Sequence, residues 1–107
     1  LKKGAEMEKL TELQNNKMIF FTFMREKYPV YYKSNLFLRD IQYAVMSYFK
    51  KKDIKVKYGP AEKIALQFAE TLEKQNELIR LNNSTWKVNF SFESGVKEEK
   101  AAETIQN

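Results

Sequence analysis

Between residues 86 and 92 the chain alternates apolar and polar side chains without interruption. Trp86, Val88, Phe90 and Phe92 fall on one side, and Lys87, Asn89 and Ser91 on the other. Side chains of an extended strand point to opposite faces with a period of two, so this segment predicts a strand with one buried face. Ahead of it, Asn82-Asn83-Ser84-Thr85 is a turn by composition, and Leu78-Ile79-Arg80-Leu81 reads as a strand. The pair predicts a β-hairpin whose apolar side lies on helices, with Trp86 as a core anchor.

The helices come from a different period. From Ala5 to Lys27, Leu10, Leu13, Phe20, Phe21, Met24 and Tyr28 fall within one helical stripe. A break at Asn15-Asn16 followed by a strand from Met18 to Met24 is the alternative, permitted by the Phe, Ile and Thr content. Pro29 disfavours the α region at Tyr28 and ends the helix. Val30-Tyr31-Tyr32 then reads as a short extended piece. Ser34 or Asn35 is placed to cap a second helix from about Leu36 to Lys51, with Phe37, Ile41, Ala44, Val45 and Tyr48 buried and Gln42 outside that face. Ile54 to Tyr58 alternates, as an edge strand or an extended loop would. Gly59-Pro60 is a turn that starts a third helix reaching about Asn76, with Ala61, Ile64, Ala65, Phe68 and Leu72 as its stripe.

The expected fold class is therefore α+β, three helices packed on a small antiparallel hairpin or sheet. Its 107 residues suit one domain, taken as residues 1–93, with 94–107 a polar C-terminal tail. A start at Leu1 rather than Met is expected of a fragment or a processed product.

Composition narrows the chemistry. The chain has no Cys and no His, which removes the usual zinc ligands, thiolate nucleophiles and the commonest general base. Its three glycines, Gly4, Gly59 and Gly95, make no phosphate loop, and no tight acidic cluster is visible. The Glu residues sit among lysines on helix surfaces, where i, i+4 pairing accounts for them. A non-catalytic chain with no cofactor, no metal and no small-molecule substrate is expected. The longest apolar-rich run, Met18 to Met24, is far shorter than the roughly 20 residues of a membrane span, and a cytoplasmic location is the default.

The order helix, extended piece, helix, helix, strand, turn, strand is similar to a winged-helix domain. The segment Phe68 to Leu81, followed by the turn and Trp86-Lys87-Val88, resembles the end of a winged-helix third helix running into its wing. The second helix and the basic connection after it are longer than the compact helix-turn-helix pattern, a departure that bears on DNA docking. The resemblance implies a binding module. Such domains read DNA or assemble proteins, so the fold does not choose between them.

Two surfaces follow. Aromatic residues are 14% of the chain, and rings are favoured at interfaces. Ile19 and Phe23 form an i, i+4 pair off the first helix's stripe, a pair that meets either a second layer of this domain or another chain, and Leu66 lies off the third helix's stripe. These three are the expected protein interface, for a homodimer or another protein in a larger complex, and assembly is the first expectation for function. The alternative is DNA or RNA. The net charge is +5, and five lysines, Lys50, Lys51, Lys52, Lys55 and Lys57, gather around the single Asp53. Such a patch suits a polyanion. Lys63, Gln67, Thr71 and Lys74 are spaced to lie along one exposed face of the third helix, able to meet phosphates and base edges, and Lys87 and Arg80 would join from the wing. Against this stand Glu62, Glu70, Glu73 and Glu77, of which Glu70 does not cluster with the others. Sequons at Asn82, Asn83 and Asn89 read as chance occurrences in a chain without a visible signal.

Overall fold

In a computed structural model the chain is described from residue 2 to residue 91, with side chains from Met7 on. Phe92 and the 94–107 tail lie outside the described residues. The order is α1 (Lys2–Asn15), α2 (Lys17–Met24), β1 (Asn35–Phe37), α3 (Leu38–Lys50), α4 (Tyr58–Lys74), β2 (Leu78–Asn82) and β3 (Thr85–Val88). The fold is α+β: helices pack on one face of a three-stranded antiparallel sheet with strand order β1-β3-β2.

The hairpin forms where alternation places it, but its second strand spans Thr85–Val88 and stops short of the expected Phe92, residues 89–91 continuing without strand pairing. Asn82 and Thr85 pair across the two-residue turn Asn83-Ser84, and the Ser84 N–H donates to Asn82 Oδ1 at 2.9 Å. The ladder slips between Arg80 and Asn82, so Leu81 has no partner and marks a bulge. Trp86 and Val88 are fully buried, Phe90 is half-buried against the core, and Lys87 and Asn89 face outward.

Where one helix of residues 5–27 is expected, two are found, so the described residues hold four helices. Asn16 leaves the helical region at φ −121°, ψ 38°. The Glu12 carbonyl accepts both the Asn16 backbone N–H and its side-chain amide, each at 3.0 Å. An asparagine that bonds the neighbouring backbone in this way competes with helix continuation. The segment after the break stays helical rather than forming a strand. The division lets the pieces face different neighbours. Gln14 of α1 donates to Thr71 of α4 at 3.1 Å, whereas the Phe20 and Phe23 rings of α2 lie 5.5 and 5.8 Å from the Tyr48 ring of α3.

Strand β1 replaces the expected start of the second helix. Phe37 sits on the outer face of the sheet and is exposed, not buried on a helix face. Ser34 caps no helix. Its hydroxyl donates to the Tyr31 carbonyl at 2.7 Å and accepts the Tyr31 N–H, closing the preceding turn. The first helical residue of α3, Leu38, instead donates its N–H to the Ser84 carbonyl at 2.9 Å, so the hairpin turn satisfies a donor that a side-chain cap would otherwise take. Gln42, expected outside the buried face, is buried and donates to the Tyr58 carbonyl at 3.0 Å, joining α3 to the start of α4.

Rings fill the centre of the core. Phe20 meets Phe21, Tyr48 and Phe68 edge-on at 5.4 to 5.5 Å, and Phe21 stacks on Phe68 at 5.6 Å. Such contacts add to the area these side chains remove from water. Leu13, Met24, Ile41, Ile64, Leu72 and Leu78 complete a single cluster.

Candidate nucleic-acid interface

The basic connection owes its shape to the way α3 ends. Asp53 takes the left-handed region at φ 61°. Its N–H donates to the Lys50 carbonyl and the Ile54 N–H to the Phe49 carbonyl, both at 2.9 Å, the paired bonds of a Schellman ending. The reversal lays residues 54–57 back beside the helix as extended loop rather than strand.

A groove of about 770 Å³ lies between that loop, the outer face of α3 and the turn after α2. The helix supplies Tyr43, Met46, Ser47 and Lys50, one stripe at i, i+3, i+4 and i+7. The loop supplies Asp53, Ile54, Lys55 and Val56, and the turn supplies Lys27 and Tyr28. Three lysines thus face one carboxylate. Among the described residues Lys27, Lys50 and Lys55 have no ion-pair partner, so their charge is available to a ligand. Tyr43 leans against Tyr58 with ring centres 5.9 Å apart and remains 42% exposed. Burial pushes the Tyr28 hydroxyl above its ordinary pKa, helped by the negative charge of Asp40 and by Tyr43 and opposed by Arg39. At neutral pH the phenol is therefore protonated and can donate.

The expected polyanion contacts separate into several places. Lys50 and Lys55 line the groove, and Lys57 lies exposed beyond it as the residue before α4. Lys51 covers the Phe23 ring at 5.1 Å. Lys52 pairs with Glu12 at 3.3 Å and lies over Tyr48. Lys63, Gln67 and Lys74 are exposed on α4, but Thr71 is half-buried beneath α1. Its hydroxyl accepts from Gln14 and donates to the Gln67 carbonyl at 2.9 Å. The face expected to lie open is thus met by α1 at Thr71 and remains open at Lys63, Gln67 and Lys74. Lys87 stands on the outer face of the sheet between Asn35 and Ile79.

The acids of this region are largely engaged. Arg80 bonds Glu73 at 3.1 Å and approaches Glu70 at 3.8 Å, and Lys17 pairs with Glu77 at 2.6 Å. Arg80 also donates to the carbonyls of Asn82 and Asn83 and lies 4.9 Å over Trp86, so it serves the hairpin rather than projecting from it.

No protein-family model, curated protein or solved structure matches this chain.

Of the expected protein-interface residues, Phe23 and Leu66 pack partly against the core, and only Ile19 stands out, at 61% exposure. The sheet carries further exposed apolar residues. Phe37, Ile79 and Leu81 lie on its outer face, exposed to 45%, 46% and 47%. Tyr43, Met46 and Lys27 had no place among the expected site residues. The signal for the first two was present, since Tyr43, Met46, Ser47 and Lys50 repeat at helical spacing on the side of the second helix away from its core stripe. Among the described residues no group of three or more acids is placed to hold a metal ion, and no helix is long and apolar enough to cross a membrane.

Proposed function

We propose that this chain is a non-catalytic, winged-helix-like binding module that holds nucleic acid through the groove beside α3 and the Lys50–Lys57 connection. The observation carrying this is the joining of Lys27, Lys50 and Lys55, none of them neutralised by a described carboxylate, with Tyr28 and Tyr43 in one concave surface. Cations in a groove concentrate field toward a polyanion, and rings beside them give bases a surface to lie on. The element order from α2 to β3, with β1 beside β3, supports the winged-helix-like architecture. The engagement of Glu70, Glu73 and Glu77 by Arg80 and Lys17 lowers the repulsion a phosphate would otherwise meet near α4.

Gel shifts with mixed DNA and RNA over a salt series test this. Affinity should fall steeply as salt rises, and changing Lys50, Lys51, Lys52, Lys55 and Lys57 to Gln should remove part of that dependence. Absence of a shift at low salt would overturn the proposal.

A second reading, protein assembly, is favoured by Phe37, Ile79 and Leu81 on the outer sheet face. An apolar face of this kind supports association that is little affected by salt. Sedimentation velocity should then show an oligomer that Ile79→Lys dissociates. A monomer at high protein concentration rules out self-association.

A further inference from the structure

We propose that the groove selects single-stranded over duplex nucleic acid, seating one base against the Tyr43 ring while the adjoining phosphates meet Lys50 and Lys55. This rests on the nucleic-acid function proposed above and narrows it. Four features of the molecule carry it. The site is concave, and its volume of about 770 Å³ suits a few groups of a flexible strand. A duplex hides the faces of its bases and is read by an element that protrudes into its grooves, whereas a single strand offers each base face for stacking. Tyr43 supplies such a platform: its ring is steadied from one side by Tyr58, 5.9 Å away at an interplanar angle of 53°, and is 42% exposed.

Of the four α4 residues spaced to meet a duplex, Lys63, Gln67 and Lys74 stay exposed, but Thr71 is half-buried. The face of α4 bearing Lys63, Gln67 and Thr71 is met by α1, whose Gln14 holds the Thr71 hydroxyl. A duplex approaching that face meets α1 at Thr71, whereas Tyr43 in the groove is 42% exposed. Lys50, at the helix end, and Lys55, on the returning loop, both line the groove, where phosphates of a strand lying in it would meet them.

The test uses the full chain and fluorescence anisotropy with labelled oligonucleotides of about 12 nucleotides, single-stranded and as the matching duplex, at low salt. The single strand should bind more tightly. Tyr43→Ala should weaken it about 5- to 100-fold, and Tyr43→Phe, which keeps the ring, should stay within about twofold of the parent. Lys50→Gln with Lys55→Gln should weaken both forms. A duplex bound as tightly as the single strand, or a Tyr43→Ala variant that binds like the parent while the lysine variant does not, overturns the single-strand proposal and leaves nucleic-acid binding standing. Failure of both forms to bind removes the two together. If Tyr43→Ala lowers the melting temperature by more than a few degrees, Tyr43→Leu, which keeps apolar contact with Tyr58 but not the ring, replaces it under the same criteria.

Discussion

Trp86 donates its indole N–H to Glu73 Oε1 at 3.2 Å, tying the central strand to α4. The same carboxylate oxygen accepts Arg80 Nε at 3.1 Å, and the Arg80 guanidinium lies over the indole ring. One acid therefore serves a buried donor and a half-exposed cation at once, and the hairpin is fixed to the helix by a directional contact as well as by apolar area.

Trp86→Ala should cost on the order of 3–5 kcal/mol, because the ring is fully buried and the space it leaves is not refilled. Glu73→Leu should cost about 1–3 kcal/mol by leaving the indole N–H without an acceptor. Urea unfolding measures both. A Trp86→Ala midpoint equal to the parent's would show that the ring is not where the core closes.

The two sides of α2 should respond in opposite ways. Phe20 meets three other rings and is fully buried, so Phe20→Ala should cost about 3–5 kcal/mol. Ile19, next in sequence but mostly exposed, should tolerate Ser within about 0.5 kcal/mol. Similar losses at both positions in thermal unfolding would contradict the helical phase after the break at Asn16.

Alkaline stability should depend on Tyr48. Burial, the hydrogen bond to Glu12 and the negative charge of Glu12 push its pKa from 10.0 up to about 12. A raised value means that the neutral phenol is favoured in the folded state. Its stabilising effect is complete below the unfolded value near 10.0 and is lost as pH rises through about 12. Tyr48→Phe should flatten the loss of stability over that window, read by denaturant midpoints at successive pH values. Identical slopes for parent and variant would exclude the effect. Tyrosinate absorbance should show one late-titrating group missing from the variant.

Asp53 is the one acid lining the groove, and its backbone lies in the left-handed region. Asn accepts that conformation well, so Asp53→Asn removes the charge while keeping the turn. Its stability should match the parent within about 0.5 kcal/mol, and its affinity for oligonucleotides should rise. Weaker binding in anisotropy measurements would place the ligand elsewhere.

Much of the architecture was legible because it rests on periodicity. The alternation from Trp86 to Phe90 and the stripe from Ala61 to Leu72 each bury what the pattern says they bury. The elements that escaped depend on partners distant in sequence. β1 exists because Leu36 pairs with Trp86, and nothing local to Asn35-Leu36-Phe37 signals a strand. Gln42 looks like a surface residue until the Tyr58 carbonyl is placed beside it. The break at Asn16 was visible as an alternative, but whether the residues after it were helix or strand depended on which rings α2 would meet. For the candidate site, the lysine cluster named two of the groove's lining residues, Lys50 and Lys55. The groove itself required the left-handed turn at Asp53, which brings Lys55 back beside Lys50, and the turn after α2, which adds Lys27. Spacing along the chain does not encode that convergence.

The most direct measurement is the dependence of oligonucleotide affinity on salt for the parent chain and for a variant with Lys27, Lys50 and Lys55 all changed to Gln. If the three cations meet a single strand's phosphates, the slope of log affinity against log salt should become shallower by about 2, at roughly 0.7 per contact. An unchanged slope, with the variant folded and binding like the parent, would contradict the assignment of the groove as the nucleic-acid site.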